Sequence, residues 1–406
     1  MTKTVAILCT LDTKGPEAAW MREAVEALGG KALLIDIGVV GAPGVPPDVS
    51  REAVAKAGGT PLAELLQDPT RQKASPVMIA GATKLLLEAV REGRVHAVVG
   101  LGGTQGTPNC TAVMQALPYG FPKVMVSTLA SGDVSSFVGI KDVTMMFSVS
   151  DILGLNPLTR KILANAAAAA FGMASSAVTL DSAGNGKPLI GMSNLGVLTE
   201  GAMRAIERFH ERGYEVIVFH AVGSGGRAME QLMREGLIGA VFDYAMGELA
   251  DEMYHGLRAG DPTRLTVAGQ LGLPQVLCPG GLEHIGLLVP ANTVPEAWRD
   301  NLYTFHNPVI LAPRLNGPQL EALAAEIGKR LTHTKGRACM MLPLAGTSRY
   351  GVEGGALRDP AGDAAFFEAL RRAVPPTVEL VERKLGAEDP AFVDEAVARL
   401  IAMIED

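Results

Sequence analysis

TVAILCTLDTKGPEAAWMREAVEALGGKALLIDIG, residues Thr4 to Gly38, is the stretch that decides the fold class. TVAILC is an unbroken apolar run without alternation, as a strand buried on both faces requires. Leu11 to Gly15 reads as a turn. From Pro16 to Leu28 the apolar residues recur at helical spacing, and Pro16 suits a first turn because its missing N–H would have no intrahelical partner there. Gly29-Gly30 stops the helix, and KALLIDIG is the next buried strand. Strand, helix, strand in that order opens a parallel sheet, because parallel neighbours need a crossover.

The alternation continues. HAVVGL, KVMVSTL and DVTMMFSVSD (from Asp142) read as strands, with helices at Thr83–Glu92, Asn109–Leu117 and Pro157–Met173. The segment from Leu62 to Pro76 is less regular and reads as an insertion or lid. A second unit opens near Ser182 to Gly191, after a linker around 175–187. It pairs KPLIGMSN with Leu198–Arg212 and YEVIVFHA with Arg227–Glu235. GAVFDYA, TVAG, QVLCPG, RACMMLPL and TVELVE continue the strands, with helices Pro318–Arg330, Ala364–Ala373 and Pro390–Ile404. The expected fold is α/β: two tandem Rossmann-like domains with mainly parallel sheets, over 1–180 and 181–406.

Composition agrees with two buried cores. The 406 residues exceed what one core usually supports, and 48% are hydrophobic, with 47 glycines. A formal charge of −7 without a Lys/Arg block argues against a nucleic-acid groove. Four cysteines, Cys9, Cys110, Cys278 and Cys339, show no close spacing, so the expectation is a reduced, cytoplasmic setting without a disulfide framework. The sequence MTKTVAILCT lacks a signal-peptide pattern. The most apolar later stretch, Ala166 to Leu180, is too short and too alanine-rich for a membrane span.

Ligands of open parallel sheets sit beyond the carboxyl ends of the strands, and several polar, glycine-rich segments fall there. In CTLDTKG, the Thr10 and Thr13 hydroxyls, free helix N–H groups and the Lys14 charge can hold phosphate; Asp12 faces a bound Mg²⁺ or a ribose, or simply caps the helix. In GLGGTQGT, the glycines permit close approach and Thr104 and Thr107 add hydroxyls, although the spacing is neither Walker A nor GxGxxG. STLASGDVSSFVG offers Ser131, Gly132 and Asp133. In the second unit, HAVGSGGRAME places Gly223 to Gly226 before a helix, with Arg227 adding charge and His220 at the strand end. His220, Glu248, His284 and His306 can converge on a metal, without a recognised ligand spacing. LPLAGTSRYGVEGGALRDP is expected to close over a ligand, with Arg349 gripping a carboxylate or phosphate. Cys278 reads as a buried strand residue.

CTLDTKGPE, GLGGTQGT, SGDVSSFVG, HAVGSGGRAME, GELADE, PGGLEH and HNPVILAPR together resemble the Tm-1-like ATP-binding proteins, the uncharacterised family UPF0261. The resemblance spans Cys9 to Arg314. It departs from the family pattern at Tyr244-Ala245-Met246-Gly247 and at VILAPRLN. It implies two Rossmann-like domains and ATP binding in the first, with Mg²⁺ accompanying the triphosphate. Asp12, Thr13 and Lys14 with Gly103, Thr104, Gly106 and Thr107 are then the phosphate side, and Ser131 to Asp133 complete the pocket. The resulting expectation is an ATP-binding protein acting on a small acidic metabolite at the cleft between domains. His220, Arg227, Glu248, His284 and Arg349 are its candidate catalytic groups, and a homo-oligomer, dimer or larger, is expected. The alternative is a nucleotide-responsive regulatory or protein-binding module without turnover.

Overall fold

The computed structural model describes residues 2–178, 180 and 186–406. The chain forms two compact units, Met1–Leu180 and Asp181–Asp406. Part of the 175–187 linker and the start of the Ser182 to Gly191 segment lie outside the described residues.

In the first unit, β1 (Thr4–Cys9), β2 (Lys31–Asp36), β3 (Ala97–Gly102), β4 (Lys123–Ser127) and β5 (Thr144–Phe147) form one sheet in the order β2-β1-β3-β4-β5. Every pair in it is parallel. Successive side chains of a strand point to opposite faces, and β1 divides its apolar residues accordingly. Val5, Ile7 and Cys9 pack with Met21, Val25, Leu163 and Ala167 on one face. Ala6 and Leu8 pack with Met78, Leu86, Val113 and Met114 on the other. From β1, chain order runs one way to β2 and the other way to β3. That reversal is where an open α/β sheet leaves a crevice at its carboxyl edge.

The second unit begins with β6 (Leu189–Asn194), β7 (Val216–His220), β8 (Ile238–Ala245) and β9 (Gln275–Gly280). Next come β10 (Leu287–Leu288), β11 (Tyr303–Asn307) and β12 (Ile310–Pro313), then β13 (Ala338–Pro343) and β14 (Glu379–Arg383). Six of these form a parallel sheet in the order β14-β13-β9-β8-β6-β7. Counted from β6, this is the order of the first domain with one further strand. The other three form a small antiparallel sheet, β10-β12-β11, which the sequence reading did not anticipate.

Three local expectations are corrected. The segment from Leu62 to Pro76 is a short helix, Leu62–Leu65, followed by the start of a helix running Arg71–Arg91 through Pro76. TVAG is not a strand: Val267–Leu271 is helical, with the Gln270 N–H donating to the Thr266 carbonyl. The first helix begins at Leu11 and kinks at Lys14 (φ −125°, ψ 19°), so CTLDTKG is a helical turn that leads into the main helix. Cys278 is fully buried in β9, and burial pushes its thiol well above the usual range.

Candidate functional site

The crevice of the first domain holds a cavity of about 420 Å³. Its walls come from the turn after β1 (Thr10, Asp12, Thr13, Lys14), the loop after β2 (Ile37–Val40) and the turn after β3 (Gly102–Gly106). Pro69, Arg71, Ala74, Ser75, Met78 and Asn109 complete it. Thus Asp12, Thr13, Lys14, Gly103, Thr104 and Gly106, separated in sequence, are brought together. Arg71, Ser75, Asn109 and the loop after β2 are added to that set. A side-chain bond from the Asn109 amide to the Ser75 hydroxyl (3.3 Å) ties two of the walls.

Three helices start at this cavity, after Thr10, Thr70 and Gln105, and none of those residues caps its helix with a side chain. Elsewhere Ser50, Asn156, Asn316, Asp359 and Asp389 do cap theirs. Among the described residues, the backbone N–H groups of Gly103, Thr104, Gln105 and Gly106 have no protein partner. An uncapped helix start carries unsatisfied donors and partial positive charge, and so attracts an anion.

The charged groups are arranged to match. The Lys14 ammonium donates to the Ile152 carbonyl, which leaves it further donors. Asp12 Oδ2 accepts from the Gly41 N–H (3.3 Å), while its Oδ1 is buried without a partner among the described residues. Asp36, at the end of β2, is not free for a ligand: its Oδ1 accepts from the Leu11 (3.0 Å) and Gly38 (2.8 Å) N–H groups. Burial raises the Asp36 pKa despite those two bonds.

Thr107 of the expected phosphate side, and the three residues expected to complete the pocket, lie elsewhere. Thr107 is buried below the turn, with its hydroxyl bonded to Ser127 Oγ (2.7 Å) and to the Gly102 carbonyl (3.2 Å). Ser131, Gly132 and Asp133 are exposed and do not line the cavity. Asp133 accepts from the Ser135 N–H (2.9 Å), a local turn bond that lowers its pKa.

The glycine loop of the second domain looks similar in sequence and is closed from within. Glu248 Oε1 accepts from the Gly223 (2.6 Å) and Gly226 (3.1 Å) N–H groups, filling the helix start with the protein's own carboxylate. Its Oε2 accepts from Arg264 Nε at 2.7 Å. Arg264 is 1% exposed and forks onto Asp243 with bonds of 2.5 and 2.7 Å. Asp243 also accepts from the Ser193 hydroxyl (2.6 Å). Glu248 is therefore part of a buried ionic network, remote in role from any ligand. Arg227 donates to the Gly223 carbonyl (3.2 Å), and Arg349 pairs with Glu388 (3.2 Å). Neither lines a cavity among those described.

His220, His284 and His306 do meet, around a second cavity of about 240 Å³ at the ends of β6 and β7. Leu195, Val197, Val222, Leu257, Arg258 and Tyr350 are among its other walls. Among the described residues no group of three or more His, Cys, Asp or Glu is placed to hold a metal ion. Of the polar segment after β13, Tyr350 lines this cavity and Arg349 does not. Thr347 and Ser348 are buried, and both hydroxyls bond to Glu283.

Fold and cavities define a tandem parallel α/β protein with a ligand-sized crevice at the strand-order reversal of its first domain. The chain belongs to an uncharacterised protein family, UPF0261, whose N-terminal domain matches residues 3–179 and C-terminal domain residues 187–404. A UPF0261 protein of Clostridium tetani is 39% identical over 100% of both chains. One of Rhizobium meliloti is 38% identical over 98% of each. The ToMV susceptible protein tm-1(GCR26) of Solanum lycopersicum is 33% identical over 304 residues, 74% of this chain and 40% of that protein. No helix among the described residues is long and apolar enough to cross a membrane.

Proposed function

We propose that the first domain binds a phosphorylated nucleotide, ATP, with the phosphates on the turns after β1 and β3. The observation that carries this reading is the meeting of uncapped helix starts with Lys14 and Arg71 at one cavity. A volume of about 420 Å³ is in the range of small-molecule sites, roughly 300–1,000 Å³. The resemblance of CTLDTKGPE and GLGGTQGT to Tm-1-like ATP-binding proteins selects ATP among phosphate ligands. Ile37, Val39, Ala74 and Met78 supply apolar wall for a base.

The Gly103 to Gly106 N–H groups bind phosphate oxygens through the backbone, and the turn brings no capping side chain that would compete for them. Lys14 and Arg71 neutralise charge from two other walls, and Arg71 can bind phosphate with two parallel N–H bonds. Asp12 fits a magnesium ion, since Mg²⁺ uses one or two carboxylates with substrate phosphates and Oδ1 is buried without a partner. Bound there, Mg²⁺ would neutralise charge on the phosphates. Titration calorimetry of Mg-ATP into the full chain tests this. Binding should weaken about 10- to 100-fold in the Lys14→Ala, Arg71→Ala double variant, since each charged hydrogen bond is worth about 1.5–3 kcal/mol before compensation. Absence of both heat and thermal stabilisation would remove the reading.

A further inference from the structure

We infer that the second-domain cavity is a proton-transfer site, in which the His284 imidazole removes a proton from the carbon beside the carbonyl group of a small, largely apolar carbonyl compound. This inference does not rest on the nucleotide reading of the first domain.

The PGGLEH turn after β9 buries Glu283 and His284 side by side, at 1% and 2% exposure. Glu283 Oε2 accepts from the Thr347 hydroxyl (2.6 Å), and Oε1 accepts from the Ser348 hydroxyl and faces His284 Nδ1 at 3.2 Å. Burial acts to raise the Glu283 pKa, but His284 and the two hydroxyls outweigh it and bring it down to about 2. Glu283 is therefore a carboxylate at working pH and can only accept. The proton of a neutral His284 must then sit on Nδ1, which leaves the lone pair of Nε2 for the cavity that His284 lines. A fixed carboxylate behind an imidazole sets the tautomer of a general base and stabilises the cation formed when it takes a proton.

The surroundings favour a carbonyl compound. Leu195, Val197, Val222, Leu257, Ile310 and Ala312 make apolar walls, which suit a compound that is largely apolar. Arg258 lines the cavity, but its charge is spent on Asp251 (2.7 Å), and it also donates to the His284 carbonyl (3.2 Å). The Tyr350 ring meets the His284 ring edge-on, with centroids 5.5 Å apart. Burial raises the Tyr350 pKa, so its hydroxyl keeps its proton and can donate to an oxygen gaining negative charge. His306 Nδ1 lies 3.4 Å from that hydroxyl, and His220 Nδ1 is bonded to the Asn194 carbonyl (3.3 Å).

The step is balanced without a co-reactant. The proton on the α carbon passes to His284 Nε2. The C–H electron pair becomes a C=C bond, and the C=O pair moves onto the oxygen as an enolate. Return of a proton from Nε2 to carbon restores the carbonyl compound, and in D₂O it returns a deuteron.

The test is proton NMR of pyruvate, 2-oxobutyrate and butanone in D₂O with the full chain and no nucleotide. At least one probe should lose its α-proton signal faster than in buffer. His284→Gln should lower that rate about 100-fold or more. Glu283→Gln should lower it less, and Glu283→Asp, which keeps a carboxylate beside the imidazole, should recover part of that loss. A merely structural Glu283 would be served at least as well by the isosteric Gln as by Asp. Because any of these variants can unfold, the unmodified protein gives an independent readout: ¹⁵N-histidine NMR should show His284 protonated on Nδ1. Buffer-level exchange of all three probes, exchange that survives in His284→Gln, or a proton on Nε2 would each overturn the inference.

Discussion

In the first domain, the helix starts after Thr70 and Gln105 face a cavity without a capping side chain, and Asp36 accepts only the Leu11 N–H of the third, after Thr10. In the second, which shares its strand order, Glu248 fills the start of the helix Ser224–Arg234. Glu388 does the same for Thr199–Glu211, accepting from the Glu200 (2.9 Å) and Gly201 (3.5 Å) N–H groups. A glycine-rich turn at a strand end is thus open to an anion only where the chain brings no carboxylate of its own to its donors. The same kind of donor is left without a protein partner in the Gly103 to Gly106 turn and holds the fold together in the second domain.

The largest effect should separate the two arginines. Arg264→Met leaves Asp243 and Glu248 buried without their cation and should cost about 3–5 kcal/mol in urea unfolding. Arg71→Met, on the exposed start of its helix, should change stability by about 0.5 kcal/mol or less while weakening nucleotide binding. Equal losses would break the comparison.

Glu230 provides a pH test of the self-filled domain. It is 2% exposed, and burial raises its pKa from 4.5 to about 7 despite the Arg264 charge and bonds from Leu265 and Thr263. The folded state therefore holds this proton more tightly than the unfolded chain. Stability from it is complete below about pH 4.5 and is lost as pH rises to about 7, a change of roughly 3 kcal/mol. Glu230→Gln should flatten the pH dependence over that window, as read from denaturation midpoints.

Paired glycine substitutions sharpen the contrast further. A Cβ on Gly226 would meet Glu248 Oε2 at 2.0 Å, whereas one on Gly103 meets Thr128 Oγ1 at 3.5 Å, an ordinary contact. Gly226→Ala should cost about 1–3 kcal/mol, and Gly103→Ala should melt close to the parent while impairing nucleotide binding. The smallest effect is a rescue. Glu248→Ala frees the Gly223 and Gly226 donors, and added phosphate should then recover about 1 kcal/mol of the loss.

The parallel sheets were readable because their strands are short apolar runs separated by helical periodicity. The open cavity was readable in part, since Asp12 to Lys14 and Gly103 to Gly106 lie just after strands. Arg71 was missed because Pro76 and the polar residues before it disguise the start of a long helix. The second domain misled for a different reason. Gly223 and Gly226 meet a carboxylate 25 and 22 residues away, and Arg264 joins them only in three dimensions. Local sequence cannot show that a donor is already occupied. Glu283, however, stands beside His284 in PGGLEH, and an adjacent acid–histidine pair was a signal available to find it.

The most direct measurement of the central claim is calorimetric titration of Mg-ATP into four full-length proteins: the parent, Lys14→Ala with Arg71→Ala, Glu248→Ala and His284→Gln. The account predicts one nucleotide site per chain in the parent and in His284→Gln, and about 10- to 100-fold weaker binding when the two first-domain cations are removed. Glu248→Ala should keep that site at parental affinity. Parental affinity in the double variant, or loss of the site with Glu248 or His284 alone, would contradict it.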